Sequence, residues 1–163
     1  MLEKILQAGL PSGFDILEAA RVLGIPTPGR TLVFEGETDV NALTDFFLHE
    51  HRVQGQTLLQ CLKPASLGLT PFEAEHFAAC RSARTSLFQV VEEPAGCQVR
   101  LRDLLEPEQA EVQLTDLNLS ESLRALRLQP LLFLRVLQCA GLEMSTGFFF
   151  VFDADLQARL LQS

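Results

Sequence analysis

The sequence predicts an α+β fold: a helical N-terminal half packed on a small antiparallel five-stranded sheet or SH3-like barrel. Apolar residues recur at helical spacing up to about residue 85, and from residue 86 onward they alternate with polar residues as in strands. No linker, repeat or low-complexity run separates the two patterns. We therefore expect one domain, 1–163, with a mainly helical part (1–85) and a mainly β part (86–163).

Helix signals mark three segments of the first half and the C-terminal end. The stripe over 14–26 ends at Gly24 and Pro26, two residues that stop helices. Further helices are predicted over 38–52, 70–84 and 155–162, and a short strand over 31–35.

The helix predicted over 70–84 has the most complete start signal. Thr70 can cap it, Pro71 suits the first helical position, and Glu73 can reach back to complete a capping box. We expect the helix to begin at Pro71.

Five strands are predicted in the β half, and two of them form the clearest hairpin. The segments are SLFQVVE (86–92), CQVRLRD (97–103), AEVQLTD (110–116), PLLFLRVLQ (130–138) and GFFFVFD (147–153). Strict alternation over 97–102 and 110–115 predicts an antiparallel hairpin with four side chains inward, namely Val99, Leu101, Val112 and Leu114. On its wet face, Arg100 and Arg102 lie against Glu111.

Arg135 is an unusual residue of the fourth strand, because it shares a face with Leu131, Phe133 and Leu137. Burying an arginine is unfavourable unless it is paired, and Asp103 is the first candidate partner. The alternative is that Arg135 lies near a strand end and extends its charged head to solvent.

The last strand is apolar on both faces. Phe149 and Val151 point one way, and Phe148, Phe150 and Phe152 point the other way, so both faces should be covered. The N-terminal helices are the expected cover. A second copy of the chain is the alternative, with Phe149 and Val151 as possible contact residues.

Charge and hydropathy exclude several classes of function. The formal net charge is −8, which disfavours binding to nucleic acid. The segment EAARVLGIP resembles the first helix of a helix-turn-helix domain, but prolines and a predicted strand follow where the recognition helix would be. No apolar run reaches the roughly 18 residues of a membrane span. We expect a cytoplasmic protein.

Metal, cofactor and catalytic motifs are weak. His49 and His51 diverge on a helix, whereas His76 and Cys80 share one helix face and are a possible ligand pair. A half-buried histidine beside a core thiol is the preferred interpretation of that pair. The four cysteines form no CxxC motif, and the chain has no GxSxG or phosphate loop. We expect no metal, no cofactor and no catalytic residues.

Four segments resemble a stretch of uncharacterised bacterial proteins, many of which carry a C-terminal SEC-C motif, a short cysteine-rich zinc-binding tail. They are QGQTLLQCL (54–62), LTPFEAEHFAACRSARTSLFQVV (69–91), VRLRDLLEPEQAEV (99–112) and SESLRALRLQPLLFLRVL (120–137). The resemblance implies the hairpin and a bacterial cytoplasmic setting, and it offers no catalytic residues. The chain departs from the family at Glu106-Pro107, where Thr-Gly is usual, and at Gln129-Pro130, where Gly-Asp is usual. The printed chain ends at Ser163 without the tail, so the family's zinc is not carried over.

The leading interpretation is a non-enzymatic module that binds a protein partner or itself. The alternative is an accessory domain or small enzyme that acts on a small molecule or a nucleic-acid-linked substrate. A deep pocket with convergent polar groups would favour the alternative, and an exposed apolar patch would favour the interaction module.

Overall fold

Two units make up the chain, one formed by Met1–Arg81 and the other by Ser82–Ser163. The computed structural model describes residues 2–92, 94–126, 130–152, 156 and 159. The first part of the chain contains α1 (Leu2–Gln7), α2 (Ile16–Val22), α3 (Glu37–His49), β1 (Arg52–Val53), β2 (Gln56–Thr57), α4 (Leu58–Cys61) and α5 (Pro71–Ser82). The second contains β3 (Arg84–Val90), β4 (Gln98–Asp103), β5 (Val112–Thr115), α6 (Leu117–Leu126), β6 (Leu131–Cys139) and β7 (Leu142–Val151). The predicted α+β class is confirmed, and whether the two units share one core stays a prediction.

Three predicted helices are present as α2, α3 and α5, and their ends follow the local sequence. The carboxylate of Asp15 caps α2 by accepting the Leu17 N–H at 2.9 Å. After the last turn, Gly24 adopts a φ of 76°, and the Ile25 N–H then reaches the Ala20 carbonyl at 2.9 Å. A glycine suits this position because a positive φ is unfavourable for other residues.

The start of α5 is the predicted capping box. Thr70 Oγ1 accepts the Glu73 N–H at 3.3 Å, and Glu73 Oε2 accepts the Thr70 N–H at 2.7 Å. Lys4 of α1 places its Nζ 2.6 Å from the same carboxylate oxygen. The hydrogen bonds from Lys4 and Thr70 lower the pKa of Glu73 from 4.5 to about 2.

The strand predicted over 31–35 is wrong. The backbone is extended at Thr31, but the Val33 N–H donates to the Pro26 carbonyl at 3.0 Å, and 31–35 belong to no strand. A strand needs a neighbour with which to pair, and a short apolar run does not indicate whether one is available. The helix predicted over 155–162 lies largely outside the described residues.

Several short elements were not predicted from the sequence, namely α1, α4, α6 and the hairpin of β1 and β2. The hairpin turns at Gln54 and Gly55, whose φ values of 52° and 83° are both positive, as a type I′ turn requires. Asp116 begins α6 by accepting the Leu119 N–H at 2.9 Å. The six residues of α1 and the four residues of α4 make too few turns for a clear period. Among the described helices, none has the length and hydropathy of a membrane span.

All five predicted strands are present. Their order is β3-β4-β5-β7-β6, and β6 also pairs with β3, so the order of pairing closes on itself. Four of these strand contacts are antiparallel, whereas β5 and β7 run parallel and meet at the pair of Leu114 and Glu143. The sheet is therefore mixed, because α6 carries the chain from β5 to β6 and β7 then returns beside β5 in the same direction.

The inward faces of the strands form one core. Val99 and Leu101 of β4 lie opposite Leu114 and Val112 of β5, and all four side chains are buried. The predicted hairpin with these residues inward is confirmed. The other buried members of this core are Phe88, Val90, Leu119, Leu123, Leu132, Leu134 and Val136. Burying each large apolar side chain stabilises the fold by roughly 1.5–3 kcal/mol.

Candidate functional site

A buried polar cluster surrounds Asp103, the last residue of β4, which is 2% exposed. From β3, Ser86 donates its hydroxyl to Asp103 Oδ1 at 2.5 Å, and Arg84 donates to Asp103 Oδ2. The N–H groups of Leu105 and Glu106 donate to Oδ1 at 3.0 and 3.1 Å. Asp103 thus joins β3 to β4 and holds the turn that follows.

These bonds decide the charge state of Asp103. Burial alone would raise the pKa of its carboxyl, but the hydrogen bonds from Ser86, Arg84 and the two backbone N–H groups outweigh burial and lower the pKa. Asp103 Oδ1 accepts three of these bonds, and Oδ2 accepts the bond from Arg84. The Arg84 guanidinium also lies 3.7 Å from Glu106 Oε2 and 5.4 Å from the centre of the Phe88 ring. The cluster therefore anchors the fold, and the charge of the Asp103 carboxylate is balanced by that of Arg84.

Arg135 is buried, with 6% exposed, as predicted. It lies opposite Thr85 of β3, next to a β-bulge where the pairing of β6 with β7 shifts between Leu134 and Val136. Its predicted partner, Asp103, is engaged by Arg84 instead. The sequence did not single out Arg84, because only the pairing of β3 with β4 brings it to the end of β4.

Arg102 lies on the outer face of the β4–β5 hairpin. Its Nη2 donates to Glu111 Oε1 at 2.8 Å, which is the predicted cross-strand contact. Arg100, on the same face, places its Nε 3.4 Å from Glu92 Oε1. Exposed ion pairs of this kind contribute about 0.2–1 kcal/mol, so they keep this face soluble more than they stabilise it.

Phe149 and Val151, both on β7, differ in how far their side chains are exposed. Phe149 is partly buried and packs against the core of the β unit, whereas Val151 is 39% exposed near the end of β7. Both occupy inward positions, because Phe149 lies opposite Leu134 and Val151 lies opposite Leu132. The side chain of Phe149 therefore contributes to the core of the β unit, and that of Val151 is the more exposed of the two.

The outer face of β3, β6 and β7 is apolar instead of charged. Leu87 lies opposite Phe133, and Phe133 lies opposite Phe150, so the three residues form one row across three strands. The Phe148 ring packs edge to face on Phe150, with 4.8 Å between ring centres. We call Leu87, Phe133, Phe148 and Phe150 the outer apolar face. Sequence reasoning noted the phenylalanines of β7, but it could not add Leu87 and Phe133 without the strand register.

The metal candidates do not assemble into a ligand set. Cys80 Sγ lies 3.6 Å from His76 Nε2, and Cys80 is buried, which agrees with a histidine beside a core thiol. His51 is buried and stacks on Phe47, with 5.9 Å between ring centres. Within the described residues, no group of three or more His, Cys, Asp or Glu side chains could hold a metal ion.

Comparisons with known proteins identify a family and attach no activity to it. No curated protein and no solved structure matches the chain. One family model, described as a family of unknown function (DUF7986), matches residues 1–163, which is the whole printed sequence. Since the match covers every element described above, the chain belongs to the DUF7986 family of unknown function.

Proposed function

We propose that this chain is a non-enzymatic protein-interaction module that binds its partner through the outer apolar face. The observation that carries the proposal is the row of Leu87, Phe133 and Phe150, in which the two phenylalanines are 41% and 46% exposed. Covering each such side chain is worth roughly 1.5–3 kcal/mol. Exposed apolar residues that are contiguous, instead of scattered, are typical of interaction sites.

The contrast with the neighbouring strands supports this proposal. The outer face of β4 and β5 carries Arg100 and Arg102 in ion pairs with Glu92 and Glu111. The same sheet can therefore present a charged face to water, and the aromatic residues on β6 and β7 are not a general property of its surface. Aromatic residues are enriched at the centres of protein–protein interfaces.

Partner binding through this face should depend little on salt. The segment 144–152, which supplies Phe148 and Phe150, contains no charged residue. Apolar contacts are not screened by ions, whereas contacts between exposed charges weaken as ionic strength rises. A partner surface with apolar side chains is the expected complement.

The test compares two variants of the tagged full-length chain. Phe133→Ser with Phe150→Ser removes the centre of the outer apolar face, and Leu105→Ser changes a residue that is 65% exposed on the β4–β5 turn. Partners captured from native cells are identified, and their affinity is then measured with purified proteins. We expect the wild type and Leu105→Ser to bind alike and the double variant to bind at least about tenfold more weakly, because two aromatic contacts are lost.

Circular dichroism establishes that both variants are folded. Equal binding by the double variant and the wild type would contradict the proposal.

The proposal also places this module in the bacterial cytoplasm. It is supported by the resemblance to uncharacterised bacterial proteins that often carry a SEC-C motif. The formal net charge of −8, with only two lysines, is compatible with that setting. Cell fractionation of a bacterium that encodes the chain tests this placement, and recovery in the secreted fraction would contradict it.

A further inference from the structure

The second half of β7 has an open hydrogen-bonding edge. The Phe152 N–H donates to the first carbonyl of β6 at 3.0 Å. Backbone groups alternate between the two sides of a strand, so those of Phe150 also point to β6, and those of Phe149 and Val151 point away from it. Among the described strands, β5 is the other neighbour of β7, and it pairs only at Glu143. In the described part of the sheet, no strand therefore faces Phe149 and Val151.

This edge carries neither the charged residues nor the proline that commonly protect a strand from further pairing. Such edges commonly carry lysine, proline or an inward charge. The segment 144–152 contains no charged residue and no proline, and Phe150 and Val151 are 46% and 39% exposed. Unpaired backbone groups beside exposed apolar side chains are a template for another strand.

We propose that a second copy of this chain pairs with this edge, so that the two β7 strands run antiparallel across a twofold axis. The inference names a partner for the interaction function proposed above and rests on that function. In the register that places Phe149 opposite the second copy's Val151, these residues exchange two N–H···O bonds. The twofold axis repeats the exchange, and both edge residues of each copy are then satisfied.

The side chains agree with this register. On the outer face, Phe150 meets the second copy's Phe150 at the axis, and the outer apolar face of one copy continues into that of the other. On the opposite face, the exposed Val151 meets the second copy's Phe149, whose ring already packs on its own core. Aromatic and β-branched cross-strand pairs are favourable in antiparallel sheets.

Charge confines contact between two copies to uncharged parts of the surface, such as this edge. Each copy carries a formal net charge of −8, so two copies repel one another over most of their surfaces. The uncharged segment 144–152 lets them meet without placing like charges in contact. The edge also displays no charged group that would select a basic or an acidic peptide.

The experiment measures the mass of the full-length chain by sedimentation over a range of concentrations. Val151→Pro removes an N–H that points to the open edge and leaves the bonds to β6, because proline is tolerated on the solvent side of an edge strand. Val151→Thr is the matched control, since it keeps both the N–H and the β-branched shape. We expect the wild type and Val151→Thr to form dimers. For Val151→Pro we expect a dimer dissociation constant at least about tenfold higher, because each dimer loses two hydrogen bonds.

Amide hydrogen exchange of the wild type provides a second measurement that does not depend on the variant folding. Dilution should accelerate exchange at Phe149 and Val151 and leave exchange at Phe150, whose N–H faces β6, unchanged. A wild-type monomer at every concentration, or a dimer that Val151→Pro leaves unchanged, would overturn the inference. The two proposals can be distinguished in that case. If the Phe133→Ser, Phe150→Ser double variant binds a different protein more weakly than the wild type does, the interaction function stands and only the inference of a second copy is wrong.

Discussion

The hairpins β4–β5 and β6–β7 belong to one sheet, yet their outer faces differ. In β4 every second residue is buried, and the outer face carries charged side chains such as Arg102, which pairs with Glu111. In β6 and β7 the outer positions include Phe133, Phe148 and Phe150. Since both hairpins direct their other face into the same core, strict alternation marks the face that meets water. On β6 and β7 that alternation is lost, and Phe133 and Phe150 are the exposed part of the outer face that we propose to bind protein.

The largest expected effect tests whether the inward faces of the two hairpins are equivalent. Leu101 of β4 and Leu134 of β6 are both buried in the core of the β unit. We expect Leu101→Ala and Leu134→Ala each to lower the free energy of unfolding by about 2–5 kcal/mol, because each leaves a cavity. Urea denaturation followed by circular dichroism measures both. A loss below about 1 kcal/mol for one of them would show that the hairpins do not share this core equally.

A smaller effect distinguishes buried from exposed charge within the β4–β5 hairpin. Asp103→Asn should cost about 1–3 kcal/mol, because Arg84 and Ser86 lose an ionised acceptor. The matched change, Glu111→Gln, breaks the exposed pair with Arg102 and should cost less than about 1 kcal/mol. The same denaturation experiment compares them, and equal losses would contradict the anchoring role of Asp103.

Acid should reduce the stability that the ionised carboxylate of Asp103 gives to the fold. Its hydrogen bonds hold its pKa below the ordinary value of 3.8, so the unfolded chain takes up a proton at a higher pH than the folded chain does. The stabilisation is complete above that ordinary pKa and is lost as the pH falls through the lower, folded value. The pKa of Glu73 is also lowered, from 4.5 to about 2, so its stabilising contribution is likewise lost as the pH falls through that range. Thermal melting below pH 5 should fall less steeply with pH for Asp103→Asn than for the wild type, and parallel slopes would contradict this.

The smallest effect concerns the turns of the two hairpins. Asp103 supports the turn after β4 with its side chain, whereas β6 and β7 are joined by Ala140 and Gly141 with φ values of 51° and 77°. A positive φ is unfavourable for alanine by about 1–2 kcal/mol. Replacing Ala140 with glycine removes this cost. Part of the resulting gain in stability is offset because glycine makes the unfolded chain more flexible. Ala140→Gly should therefore raise the free energy of unfolding by up to about 1 kcal/mol, and a decrease in a denaturation experiment would contradict it.

Part of the candidate site could be predicted from single residues and their near neighbours. The burial of Arg135 and the cross-strand contact of Arg102 with Glu111 followed from alternation. The donor to Asp103 could not be predicted, because Arg84 and Arg135 are both compatible with a partner on β4 until the strand pairing is known. Phe149 was a possible contact residue for the alternative of a second copy, but its side chain packs against the core of its own β unit.

Local chemistry determined much of this protein. The alternation over β4 and β5, the capping box of Thr70 and Glu73, and the end of α2 at Gly24 each depend on residues a few positions apart. Tertiary structure decided which strands are neighbours, that β7 runs parallel to β5, and which phenylalanines form a row with Leu87. The physical reason is that helix caps and the alternation of side chains in a strand depend on residues close together in the sequence. Pairing between distant strands depends instead on the core that they bury together, which a residue pattern of period two does not specify.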